Sequence, residues 1–184
     1  VSDAALLRHG TVATEGRLAA WCRAAHGADS DLSMPGLSAG DVKYLLSLQV
    51  LLDLCGTAAN PARAWAQPVP TAQLRLSVIT VVLARSILNG ISDVAERDRL
   101  TARLTDLLAK LKADGGPPLP FIENAATTWQ SFMLEPTLGQ MAQIDRQFYA
   151  VAFSEGLCVV EYDHAYSAAL GPLGVKVHSL GQRP

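Results

Sequence analysis

"TAQLRLSVITVVLARSILNG", Thr71 to Gly90, is the least polar stretch of the chain, and its reading sets the expected fold. Val78-Ile79-Thr80-Val81-Val82 is β-branched throughout and suits a strand by propensity. The apolar run continues to Leu88, however, with Thr71 placed as an N-cap and Gly90 as a stop. A strand of about 18 residues is far beyond the ordinary length, and a membrane span needs about 20 apolar residues without Arg75 and Arg85. The stretch is therefore expected to be a buried helix. Leu74, Val78, Val81 and Leu88 mark one face and Leu76, Ile79, Leu83 and Ile87 another, so it needs cover on two sides.

The flanking segments carry helix punctuation of the same kind. Ser38 to Asp41 opens the apolar run Val42 to Cys55, read as a second central helix that Gly56 closes. Thr14 caps a helix with Leu18, Trp21, Cys22 and Ala25 on one face, and Asn60-Pro61 begins a short one. Asp93 caps a helix whose Leu100, Leu104, Leu107, Leu108 and Leu111 form a single stripe beside a charged face. After the "DGGPPLP" loop, Asp114 to Pro120, a helix carries Trp129, Phe132 and Met133 and stops at Pro136. Thr137 to Gln140 then reads as a capping box for a helix with Met141, Ile144, Phe148, Val151 and Ala152 inward. Leu157 to Val160 and Val175 to His178 read as two short strands.

These elements predict a mainly α fold: a compact irregular or orthogonal helical bundle of about seven helices with a small C-terminal β-hairpin or extended arm. Residues 1–156 form the helical domain, and residues 157–184 the hairpin or arm, packed on the same domain or on a neighbour.

Composition bears on partners. Only 17 % of residues are charged, against about 25 % in ordinary soluble domains, a deficit comparable to one buried protein interface. The formal net charge is −2 and the basic residues are scattered from Arg8 to Arg183, which disfavours a nucleic-acid partner. Cys22, Cys55 and Cys158 lie far apart on apolar stretches and read as reduced, buried thiols, pointing to the cytoplasm or another reducing compartment. The first 30 residues lack the pattern of a signal peptide.

Each motif has a competing bland reading. Gly36-Leu37-Ser38-Ala39-Gly40 matches a nucleophile elbow, but no apolar strand precedes it and Ser38 is better placed as a helix cap. Cys22 and His26, four apart on a helix, could share a metal, yet two ligands do not make a site, and no cofactor is expected. Glu161, Asp163 and His164, joined by Tyr166 and His178, are the candidate acid/base group, because histidine beside carboxylates titrates near neutrality. Arg75 and Arg85 are the odd charges on an apolar helix, suited to bind an anionic group or, as the stronger expectation, to pair with a carboxylate such as Asp53. The function expected from all this is a non-catalytic structural or interaction subunit that self-associates, as a homo-oligomer, or sits in a larger protein complex. The alternative is a small-molecule-binding or enzymatic helical domain with an apolar pocket lined by Trp21, Tyr44, Arg75, Arg85, Trp129, Phe132 and Met133.

Overall fold

The computed structural model describes residues 42–183. The candidates Trp21, Cys22, His26 and Ser38 lie outside these residues. Four strands form one sheet: β1 (Tyr44–Leu46), β2 (Leu74–Arg75), β3 (Cys158–Glu161) and β4 (Lys176–Ser179). The order is β2-β1-β3-β4, and every pair is parallel, with Leu45 opposite Arg75 and Val159, and Val160 opposite Leu46 and His178. The helices are α1 (Leu48–Cys55), α2 (Pro61–Ala66), α3 (Val78–Asn89), α4 (Val94–Gly115), α5 (Glu123–Met133), α6 (Gln143–Ser154) and the short α7 (Ser167–Leu170).

This architecture overturns the expected all-helical bundle: the chain is α/β, built on a central parallel sheet. The difference arises at the central strands. Leu45 and Val159 enter the core on one face of the sheet, with Phe132, Met141, Tyr149 and Leu170. Leu46 and Val160 enter the core on the other, with Val50, Leu51, Leu104 and Leu111. A parallel strand covered on both faces shows no alternation of apolar and polar residues, so Tyr44-Leu45-Leu46 merges in sequence with the apolar helix that follows it. The expected helix Val42 to Cys55 is thus strand β1, the extended Ser47, and α1.

The opening stretch divides in the same way. Leu74 and Arg75 are strand β2, and the helix begins at Val78. Ser77, not Thr71, is its cap: the Ser77 Oγ accepts the Thr80 N–H at 3.0 Å and lies 2.8 Å from the Thr80 hydroxyl. The β-branched Val78 to Val82 is helical, because packing of Thr80, Val81, Ala84 and Leu88 in the core outweighs local propensity. Cover is one-sided, leaving Val78 43 % and Val82 58 % exposed.

Elsewhere the punctuation holds in part. Asp93 caps α4 by accepting the Glu96 N–H, and Asn60 caps α2 by accepting the Arg63 N–H. The capping box at Thr137 does not form: Pro136–Leu138 is a short 3-10 turn, and α6 starts after Ala142 with no side-chain cap. Ile144, expected inward, is 38 % exposed. The two C-terminal strands exist but make no hairpin and no free arm. A crossover through α7 makes β4 parallel to β3 in the central sheet. No helix among the described residues is long and apolar enough to cross a membrane.

Candidate functional site

In open α/β sheets, ligands bind beyond the carboxyl ends of the strands, where successive connections leave in opposite directions. That point falls here between β1 and β3. The chain leaves β1 into α1, which packs on the Leu46 and Val160 side, and leaves β3 toward α7, which packs on the Leu45 and Val159 side. A cleft of about 480 Å³ opens there. Ser47 lines it from just beyond β1 and Gln49 from α1, Thr80 and Leu83 from α3, Asp145 and Tyr149 from α6, and Glu161 to Tyr166 from the end of β3 onward.

The cleft's polar centre is a closed network. Glu161, the last residue of β3, is only 4 % exposed. Tyr149 donates its hydroxyl to Glu161 Oε2 at 2.6 Å. His164 Nε2 lies 2.9 Å from Glu161 Oε1 and 2.8 Å from the Tyr149 hydroxyl. The Tyr166 N–H donates to His164 Nδ1 at 3.1 Å, so Nδ1 is the acceptor nitrogen and Nε2 the one that carries the proton toward Glu161. Burial raises the Glu161 carboxyl above its ordinary range, while the hydrogen bond from Tyr149 and the neighbouring His164 pull it back. Burial likewise raises Asp145, against the opposing pull of His164. The Tyr149 phenol is raised by burial first and by the Glu161 carboxylate second.

A second cluster lies on the cleft's rim. Asp53 on α1 accepts the Tyr162 hydroxyl at 2.7 Å and Arg183 Nη2 at 2.7 Å, and Arg183 Nη1 donates to Gln49 at 2.8 Å. Asp163 accepts the Ser179 hydroxyl.

The acid/base candidates Glu161, Asp163, His164 and Tyr166 all line the cleft. His178 does not: its ring lies tilted against Trp65 and edge-on to Tyr44. The expected apolar pocket is dispersed. Tyr44 packs edge-on against Trp65, Trp129 against Phe121 and Phe132 against Phe153, and Met133 accepts a contact from Arg146. None of these described residues lines the cleft. The expected pairing of Arg75 or Arg85 with Asp53 fails, since Arg75 donates to the Ala72 and Leu74 carbonyls, Arg85 is exposed and Asp53 is held by Arg183. Sequence reasoning missed Asp145 and Tyr149. Their spacing of four, which puts both on one face of α6, was the available signal.

Among the described residues the donors do not assemble a metal site. No group of three or more His, Cys, Asp or Glu side chains among the described residues could hold an ion, and both Glu161 oxygens are occupied by Tyr149 and His164.

No family model and no curated sequence matches this chain. Solved structures do. FitAcB from Neisseria gonorrhoeae aligns with TM-score 0.64 at 21 % identity, over 74 % of this chain and 97 % of that one. VapBC2 from Rickettsia felis, bound to a DNA fragment from its promoter, aligns with TM-score 0.61 at 10 % identity, over 75 % and 98 %. VapBC-5 from Mycobacterium tuberculosis, a member of the VapBC family of toxin–antitoxin systems, aligns with TM-score 0.54 at 19 % identity, over 78 % and 99 %. The shared fold is an α/β architecture with a central parallel sheet. The expectation against nucleic acid is withdrawn: scattered basic residues do not exclude it, and structures of this fold are found in DNA-bound assemblies.

Proposed function

We propose that this chain is the toxin-fold subunit of a two-protein complex of the toxin–antitoxin kind. The observation that carries the reading is coverage: this chain aligns with 97 % of the FitAcB chain and 99 % of the VapBC-5 chain, so it matches whole subunits and not a shared fragment. The exposed apolar residues of α3, Val78 and Val82, give a surface that a protein partner would cover. The test is native purification from the source cell, followed by light scattering and mass spectrometry. A second small protein bound in fixed ratio is expected, and a lone monomer at all concentrations down to the micromolar range overturns the reading.

A second reading is hydrolysis of nucleic-acid phosphodiesters, favoured by Asp145, Glu161, Asp163 and His164 lining one cleft. Such hydrolysis commonly uses ions clamped between several carboxylates, and the described residues assemble no such donor set. Incubation with single-stranded RNA and DNA, with and without a chelator, distinguishes the two. Cleavage lost in Asp145→Asn and insensitive to the chelator favours a hydrolase that works through these side chains without an ion, and absence of cleavage overturns this second reading.

A further inference from the structure

After β4 a tail, residues 180–183, crosses the rim of the cleft outside the sheet. Leu180 is its last firmly packed residue, lying against the core beside α1 with its N–H bonded to the Glu161 carbonyl at 2.9 Å. The chain then turns at Gly181, whose φ of 76° is a left-handed conformation that glycine adopts without strain. Beyond that turn the contacts are polar and superficial. The Gly181 carbonyl accepts the Asp163 N–H at 3.0 Å, and Arg183 reaches back to α1 to meet Asp53 and Gln49.

We propose that Gly181–Arg183 is a latch on the cleft, pivoting at Gly181 and clasped by Asp53, and that its release widens the cleft mouth. Three features support it. Arg183, Gln49 and Asp163 all line the cleft, so the tail's anchor points on both sides are also its walls. The Arg183 side chain is 49 % exposed while that of Asp53 is 15 %, so the clasp is half in water, where an ion pair is weak and screened by salt. Asp53 is meanwhile held in place by Tyr162, which keeps the receiving end preorganised when the arginine leaves. The latch does not depend on what the cleft binds.

The test uses the full chain carrying Leu83→Cys as a reporter inside the cleft. Alkylation at that position is followed by mass spectrometry, and exchange of backbone amides by NMR. Arg183→Gln is expected to speed both alkylation of the reporter thiol and exchange of the Asp163 amide by about threefold or more. The Ser47 amide, bonded to the Val160 carbonyl within the sheet, serves as the control for general loosening. Raising salt in the chain with Arg183 intact is expected to act in the same direction, and it decides the matter if the Arg183→Gln variant loosens throughout. Alkylation unchanged by either manipulation, even with faster exchange at Asp163, overturns the proposal, because the tail would then fray without gating the cleft.

Discussion

Glu161 is the residue on which the cleft's chemistry turns, because its carboxyl is buried and both oxygens are engaged. Its raised pKa means that the folded state favours the protonated acid relative to the unfolded chain. The associated stabilisation is therefore full below the ordinary glutamate value of 4.5 and is lost as pH rises through the folded value. Compared with Glu161→Gln, which does not titrate, the native protein is expected to be favoured most at the acid end and to lose ground steadily toward neutrality. Paired denaturant titrations at several pH values measure this, and a difference that does not move with pH would contradict it. Tyr149→Phe removes the donor to a buried carboxylate and is expected to cost about 1–3 kcal/mol at neutral pH. Chemical denaturation checks that figure.

At the level of the element, two junctions hold the sheet to its helices. Ser77 is fully buried and caps α3, so Ser77→Ala is expected to cost about 1 kcal/mol or somewhat more, read from thermal unfolding. At the end of α4, a Cβ on Gly115 would stand 2.5 Å from the Leu74 carbonyl oxygen and 2.6 Å from Arg75 Nη1. The glycine is what lets α4 meet β2. Gly115→Ala should therefore cost about 1–3 kcal/mol through overpacking against backbone that cannot yield, and an unchanged denaturation midpoint would refute that reading. Neither junction is legible in the sequence. Two-residue β2 is too short to carry a period, and a glycine beside Gly116 reads as an ordinary helix stop.

For the whole molecule, the proposed complex makes a prediction about α3. Val82→Glu, on a surface already more than half exposed, is expected to weaken association with a partner while leaving the unfolding midpoint of the isolated chain within about 0.5 kcal/mol, as surface substitutions generally do. Light scattering of the native assembly against that of the Val82→Glu variant measures it. Removal of 173–184, by contrast, takes away strand β4 and the Arg183 clasp, so it is expected to lower the stability of the fold itself. The sequence by itself determined what depends on local chemistry: the capped helices at Asn60 and Asp93, the two C-terminal strands, the helical state of Val78 to Val82 by length, and the clustering of Glu161, Asp163, His164 and Tyr166. Tertiary structure decided the rest. Tyr44-Leu45-Leu46 and Leu74-Arg75 become strands because β3 and one another supply hydrogen-bond partners far away in sequence, and in β1 Leu45 and Leu46 are buried on opposite faces with no alternation to betray them. Asp145, Tyr149 and Glu161 meet in one cleft, and Asp53 meets Arg183, only because the order of the parallel strands brings α6, β3, α1 and the tail to the same end of the sheet.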